Sequence, residues 1–303
     1  MQALQFRVTH DIDAAQKIWG QLTPRRRIYD EWAFRLCFQQ PVGFQPFFVL
    51  GLSNRKPVGL LALQYNTRKN VLEFFGGTFM EYNRVLLQPE FAGRAPEFYN
   101  YVLQNMEQDF VLGDLIDGNP SLSNYEQYDA TYTVPLEGLN SMSEFIDRHF
   151  SGKSKNSLKR KITSLEKNHS LQIRDNDFAD LDLLAELNIK RFGPESSFRY
   201  PSQIQSFRQL GKLPWELLLQ TFIIDGKKQG VAVSLIYKDF FVYLMSGVDV
   251  EQVSNLGSYV VFQTLTAAIA RKKKIFDAGR NTSGWKDRWH LTGTPVYSVS
   301  RNP

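Results

Sequence analysis

The chain of 303 residues has a single cysteine, Cys37, and no long apolar run. One cysteine excludes an internal disulfide and a cysteine-based metal cluster within the chain. The first residues, MQALQFRVTHDIDAAQ, lack the apolar core of a signal peptide. Residues 252–270, a stretch of 19 residues without a charged one, include too many polar residues for a transmembrane helix. We therefore expect a globular protein of the cytoplasm.

Sequence signatures of several enzyme classes are also missing. There is no G-x-S-x-G nucleophile motif and no G-x-G-x-x-G dinucleotide motif. Residues 152–154 resemble the end of a phosphate-binding P-loop, but Asp147 stands where its first glycine is required. The four histidines show no metal-ligand spacing, so we predict no metal site.

The net charge of +5 is concentrated in residues 151–167, which carry six lysines or arginines and one glutamate. Leu158, Ile162 and Leu165 have the spacing of an apolar helix face, while Lys155 and Lys159 lie one turn apart on the polar face. Because like charges at this spacing repel, a phosphate ligand beside them would be stabilising. A solvated surface, or contact with RNA or a membrane, is the alternative interpretation.

The two halves of the chain repeat one order of apolar runs separated by turns. The runs, each typical of a strand in an antiparallel meander, are 47–52, 58–65 and 71–75, then 217–224, 231–237 and 240–245. The turn Asp225-Gly226 is a strong hairpin signal. Gly59 and Gly76 in the first half match Gly230 and Gly247 in the second. This shared order favours a duplication.

Helical patterns and a short apolar run complete each repeat. Helices are predicted at 11–22, 31–38 and 96–107 in the first half and at 178–192 and 256–272 in the second, with closing strands at 110–116 and 275–278. We therefore predict an α/β (α+β) fold with two tandem domains, 1–145 and 146–303. Each is expected to be a mostly antiparallel mixed sheet flanked by helices.

The loop that precedes the helix at Gly257 is a candidate phosphate site. A helix N-terminus has unpaired backbone N–H groups and a partial positive charge. Gly257 would allow a pyrophosphate to approach the backbone closely. An ordinary strand-to-helix turn, with Ser254 or Asn255 as N-cap, is the alternative.

A second candidate site lies between 276 and 289. Asp277 is predicted at the end of a short strand, and Lys286 and Arg288 stand between two tryptophans, which could hold an anion against an aromatic wall. A capping aspartate and a surface helix anchored by its tryptophans are the alternatives.

The order of these features resembles the GNAT-fold acyltransferases of the BioF2-like, or cellulose-biosynthesis-type, acetyltransferase family. These are relatives of the Fem-type peptidoglycan-bridge transferases and are built from two GNAT-like domains. The likeness is best over 150–290. It rests on the basic helix 153–161, the helix 178–192, the turn Asp225-Gly226-Lys227, the loop Gly257-Ser258, the strand 276–279 and Trp285-Lys286.

The resemblance implies an acyl-CoA donor whose pyrophosphate lies on the loop before the helix at Gly257. That loop consists of Ser254, Asn255, Leu256, Gly257 and Ser258. It keeps only the central glycine of the family's Q/R-x-x-G-x-G/A pattern. An aminoacyl-tRNA donor, as in the Fem-type relatives, and a lost activity therefore remain alternatives.

For the mechanism, we expect direct attack by an acceptor amine or hydroxyl, with no covalent enzyme intermediate. The backbone N–H groups of Ser246, Gly247 and Val248 could stabilise the developing oxyanion. Two carboxylates could take up the acceptor proton and two tyrosines could protonate the leaving group. These candidate catalytic residues are Asp249, Asp277, Tyr243 and Tyr259.

Candidate substrate-binding residues come from both halves of the chain. They are Glu81, Tyr82, Asn83, Lys155, Lys159, Arg280, Trp285 and Lys286. Residues 81–83 are the counterpart, in the first half, of the predicted donor loop and could contact the acceptor or form a structural turn. The expected acceptor is a small molecule or a cell-envelope precursor. The rival from another class is a non-catalytic RNA-binding protein that uses the basic helix.

Overall fold

A computed structural model describes residues 3–39, 43–116, 125–281 and 284–301. The chain forms two compact units, which we call the first unit (Met1–Thr131 with Thr294–Pro303) and the second unit (Tyr132–Gly293). The chain leaves the first unit after residue 131 and returns to it at residue 294. The predicted domain boundary, after residue 145, lies 14 residues beyond the first of these crossings.

Groups of consecutive helices and groups of consecutive strands follow one another along the chain. The helices α1 to α9 are Ile12–Leu22, Trp32–Phe38, Ala95–Asn105, Met142–His149, Gly152–Asn168, Leu181–Phe192, Pro201–Leu210, Leu256–Ala270 and Trp285–Arg288. The strands β1 to β13 are Gln5–Thr9, Phe44–Ser53, Lys56–Asn66, Val71–Phe74, Leu86–Leu87, Asp109–Leu115, Tyr125–Pro135, Leu171–Asp175, Glu216–Ile224, Lys227–Tyr237, Phe240–Val248, Ile275–Arg280 and Thr292–Arg301.

The first unit contains a mixed sheet with the strand order β1-β2-β3-β4-β6-β13, and β5 pairs with β3. Neighbouring strands are antiparallel except β4 and β6, which are parallel. Helix α3 packs closely on this sheet: a Cβ added to Gly51 or Gly59 would lie 2.4 Å from Cζ of Phe98. These two glycines therefore allow the buried Phe98 ring to reach the sheet backbone.

The second unit repeats this plan with the strand order β12-β11-β10-β9-β8. Its pairs are antiparallel except β11 with β12. The predicted hairpin at Asp225-Gly226 joins β9 to β10, and both residues have positive φ angles, of 50° and 76°, as a type I′ turn requires. Helix α6 packs against β10 and β11, and α5 packs against α8.

The predicted fold class is confirmed, since each unit is a mostly antiparallel mixed sheet flanked by helices. The basic segment forms α5, with Leu158, Ile162 and Leu165 buried as its spacing predicted. Among the described residues, no helix combines the length and hydropathy needed to cross a membrane.

Candidate functional site

Strands β11 and β12 separate partway along their length. They pair only between residues 240–242 and 275–277, although β11 continues to Val248 and β12 to Arg280. On its other side, β11 shifts register against β10 next to Tyr243: Ser234 pairs with Tyr243, and Val233 pairs with Met245. Leu244 is therefore the extra residue of a β-bulge, which bends the strand. Beyond Val242, no described residue pairs with the edge of β11 that faces β12.

A pocket of about 270 Å³ lies at this separation, within the second unit. Its lining combines apolar and aromatic side chains with two cations, and no described residue of the lining is acidic. The lining residues are Arg191, Tyr243, Ser246, Val248, Val250, Asn255, Gly257, Ser258, Val260, Val261, Trp285, Arg288 and Trp289.

The first turn of α8 forms one wall of the pocket. Asn255, the N-cap residue, has a φ of +67°, and its side chain makes no capping hydrogen bond. A Cβ added to Gly257 would lie 3.8 Å from the nearest atom, Cγ1 of Val250, so this glycine leaves the backbone of the turn open to approach. Of the predicted donor loop, Asn255, Gly257 and Ser258 line the pocket. Leu256 is fully buried and Ser254 is exposed outside the lining.

The predicted oxyanion segment lies on the free edge of β11. Ser246 and Val248 line the pocket, and Gly247 between them faces α6 instead. A Cβ on Gly247 would lie 2.9 Å from both the Leu184 carbonyl oxygen and the Leu187 Cβ. Gly247 therefore allows α6 to pack directly against the strand that borders the pocket.

Tyr243 lies where the two strands separate. Burial raises the pKa of Tyr243 to about 12, against the lowering effects of a hydrogen bond with Ser246 and of the positive charge of Arg191. The Trp285 ring meets it edge-on, with 5.9 Å between the ring centroids. Its hydroxyl is therefore protonated at neutral pH.

The three other candidate catalytic residues, all described, lie outside the pocket lining. Asp249 accepts a hydrogen bond from Lys190 Nζ at 2.9 Å, and this bond lowers the pKa of the carboxylate. Asp277 is 1% exposed, and its Oδ1 accepts a hydrogen bond from the Gly279 backbone N–H. Tyr259 is buried on the other side of α8 against Phe222, and burial raises its pKa.

Two arginines supply the positive charge of the pocket. Arg191 lies in the last turn of α6, and Arg288 is the last residue of α9. Both side chains are exposed and make no salt bridge with any described residue. Arg191 was not predicted from the sequence. The sequence shows two adjacent cations, Lys190 and Arg191, near the end of a predicted helix. Only the packing of α6 shows that Arg191 is the one that faces the pocket.

A buried lysine holds the end of β12. Lys286 is 3% exposed, and its Nζ donates to the backbone oxygens of Gly279, at 2.8 Å, and Arg280. The same Nζ lies 5.1 Å from the centre of the Tyr132 ring. Of the predicted substrate-binding residues in this segment, Trp285 lines the pocket, whereas Arg280 and Lys286 do not.

The remaining predicted substrate-binding residues lie elsewhere. Glu81, Tyr82 and Asn83 belong to the first unit. There the buried Asn83 accepts a hydrogen bond from Arg35 at 2.9 Å, and Arg27 covers the Tyr82 ring at 3.8 Å.

On α5, Lys155 forms a salt bridge of 2.6 Å with Asp147, and Lys159 is exposed. Neither lysine is part of the pocket lining.

Comparisons with known proteins support the fold. Residues 152–287 match a family model described as acetyltransferase (GNAT) domain. No curated protein sequence matches the chain significantly.

Among solved structures, a tandem GNAT protein from the clavulanic acid biosynthesis pathway is similar over 99% of both chains, with 10% identity and a TM-score of 0.58. FemX is similar over 98% of both chains, with 10% identity and a TM-score of 0.59. The C-terminal domain of a putative lysylphosphatidylglycerol synthetase from Agrobacterium fabrum is also similar, with 8% identity and a TM-score of 0.59. This similarity extends over 96% of the present chain and 93% of that domain. At these identities the likeness shows the fold. The chain therefore has a mixed α/β, GNAT-like fold, and its residues 152–287 match the model of a GNAT acetyltransferase domain.

Proposed function

We propose that the protein is an N- or O-acyltransferase that moves an acyl group from acyl-CoA to an amine or hydroxyl acceptor. The observation that carries this proposal is the pocket between β11 and β12. It joins a free strand edge, a glycine-containing helix N-terminus and a protonated tyrosine. Within the GNAT fold, we further propose that the chain is a member of the BioF2-like family.

The pocket fits the chemistry of a CoA thioester. The first turn of α8 can bind the pyrophosphate through its backbone N–H groups, because a Cβ added to Gly257 would meet the side chain of Val250 no closer than 3.8 Å. Arg288 lines the same pocket and adds a positive charge. The free edge of β11 between Tyr243 and Val248 can donate backbone N–H groups to the thioester carbonyl oxygen.

The transfer we propose is a direct displacement. The acceptor nitrogen or oxygen attacks the thioester carbonyl carbon and forms a tetrahedral intermediate whose oxyanion is held by the β11 edge. The C–S bond then breaks, and the CoA thiolate takes a proton from the Tyr243 hydroxyl. The acceptor proton passes through water to Asp249 or Asp277 and then to solvent, and Tyr243 regains its proton from solvent. No enzyme nucleophile takes part.

The acceptor we propose is a cell-envelope precursor with a free amine or hydroxyl. Support comes from the similarity of the fold to FemX and to the domain of a putative lysylphosphatidylglycerol synthetase. We propose that the reaction takes place in the cytoplasm.

The experiment is thermal unfolding with and without CoA and acetyl-CoA. A ligand at 100 times its dissociation constant adds about 2.7 kcal/mol to the unfolding free energy. We expect both compounds to raise the melting temperature and Gly257→Phe to abolish the shift, since the ring would fill the approach to α8. The matched control is Gly93→Phe in the first unit, where no described atom other than those of its chain neighbours lies within 4 Å of the added Cβ. Absence of a shift with the unchanged protein would contradict the proposal.

A second candidate function is aminoacyl transfer from aminoacyl-tRNA. It is favoured by the basic face of α5, where Lys153, Lys159 and Arg160 are exposed. Transfer that is sensitive to RNase, and that falls when Lys159 and Arg160 are both replaced by glutamine, would support this candidate. Retention of RNA without any transfer would indicate a non-catalytic RNA-binding protein.

A further inference from the structure

Two adjacent cations at the end of α6 have different surroundings. Lys190 Nζ lies 2.9 Å from Asp249 Oδ2 and 3.5 Å from Glu251 Oε2, so its charge is compensated. Arg191 lines the pocket and makes no salt bridge within the described part of the chain. Its charge therefore acts on the contents of the pocket.

The packing of α6 places Arg191 at the Tyr243 end of the pocket. The helix runs along β11 in the opposite direction: Leu184 contacts Gly247, and Asn188 Nδ2 lies 3.6 Å from Met245 Sδ. Three residues further on, Arg191 lies near Tyr243, and its charge lowers the pKa of that hydroxyl. Tyr243 marks the point where β11 and β12 separate, whereas the first turn of α8 follows the other end of β11.

This position decides which part of a donor Arg191 would contact. In the function proposed above, the pyrophosphate lies at α8 and the thioester lies at Tyr243. The guanidinium of Arg191 is then next to the acyl group rather than the pyrophosphate. Since the described lining holds no carboxylate, a negatively charged acyl group would find a cation there without a competing partner. The ammonium of an aminoacyl group would be repelled.

We propose that Arg191 is a specificity-determining residue that binds a carboxylate at the end of the donor's acyl group. The preferred donors are then carboxylated acyl-CoA thioesters of the malonyl and succinyl class. This inference rests on the proposed function. A hydrogen bond between charged groups favours the charged ligand by about tenfold or more over an uncharged ligand of the same shape.

The test compares malonyl-CoA with isovaleryl-CoA, whose acyl groups have the same branched shape and differ in charge. Dissociation constants are measured by isothermal titration calorimetry for the unchanged protein and for Arg191→Gln. We expect the unchanged protein to bind malonyl-CoA about tenfold more tightly and Arg191→Gln to lose this preference. Arg191→Lys, which keeps the charge, should restore part of it. The matched control is Arg199→Gln: Arg199 is exposed, bonds to the Tyr200 hydroxyl and lies outside the lining.

Several results would overturn the inference. One is equal binding of the two thioesters by the unchanged protein. Another is a preference that survives in Arg191→Gln. An equal loss of affinity for both thioesters and for CoA itself would assign Arg191 to the CoA portion and would also refute the proposal. If the proposed function itself is wrong, neither CoA nor any thioester will bind to the unchanged protein. This result distinguishes failure of the proposed function from failure of the inference about Arg191. Melting temperatures of the variants identify any that fail to fold.

Discussion

Gly247→Ala tests whether the direct packing of α6 on β11 supports the pocket wall. The added Cβ would lie 2.9 Å from the Leu184 carbonyl oxygen and 2.9 Å from the Leu187 Cβ. Real Cβ atoms do not make contacts this short, and one of these partners is backbone, so the helix must move away from the strand. Overpacking of this kind costs about 1–3 kcal/mol. For a unit of this size, the melting temperature should fall by about 2–12 °C.

The control is a second glycine that borders the same pocket. At Gly257 the added Cβ meets its nearest atom at 3.8 Å, and the backbone is not in the left-handed region. Gly257→Ala should therefore leave the melting temperature unchanged or raise it, since alanine favours the helix by up to about 1 kcal/mol. Differential scanning calorimetry of both variants measures the contrast. If Gly247→Ala were as stable as Gly257→Ala, the close approach of α6 to β11 would be refuted.

Three further predictions concern individual side chains. Tyr243→Phe should lower the transfer rate about 100-fold with little change in donor affinity. Tyr259→Phe, outside the pocket, should change the transfer rate by no more than about twofold. Steady-state kinetics give the transfer rates of both variants, and binding measurements give their donor affinities. Burial would raise the pKa of Asp180, but hydrogen bonds from Lys228 and two other donors outweigh this effect and lower the pKa overall. The ionised Asp180 therefore stabilises the fold above about pH 4, and this stabilisation is lost as the pH falls further. Asp180→Asn should then cost about 1–3 kcal/mol at pH 7 and flatten the loss of stability in acid, as urea unfolding at several pH values would show. Burial raises the pKa of the Cys37 thiol to about 11, so a thiol reagent at pH 8 should label it only after unfolding and leave transfer unaffected.

Local patterns predicted much of the fold. The alternation of apolar runs and turns located β2, β3 and β4 and, in the second unit, β9, β10 and β11. The hairpin at Asp225-Gly226 could be predicted because the backbone of that turn needs residues that tolerate positive φ angles. The helix predicted at 256–272 ends at Ala270, within two residues of the expectation.

The features that create the pocket depend on contacts between distant parts of the chain. Leu244 is the bulged residue, yet it stands in an ordinary apolar run. Leu244 becomes a bulge only because of the register in which β11 pairs with β10, at the point where β11 no longer pairs with β12. Arg191 joins the pocket because α6 lies along β11, which helical spacing alone does not indicate. The roles predicted for Tyr243 and for Asn255, Gly257 and Ser258 stay predictions, supported by their position in the lining.

The return of the chain to the first unit has a consequence for synthesis on the ribosome. Strand β13 pairs with β6 from Tyr297 to Arg301, so the first unit takes up its last strand from residues that are made after the entire second unit. During translation, the edge of β6 that will pair with β13 therefore stays unpaired while the second unit emerges and folds. Unpaired strand edges promote association between chains. A fragment that stops before residue 294 would keep that edge exposed permanently. We therefore expect such a truncated chain to aggregate instead of folding as an independent N-terminal domain.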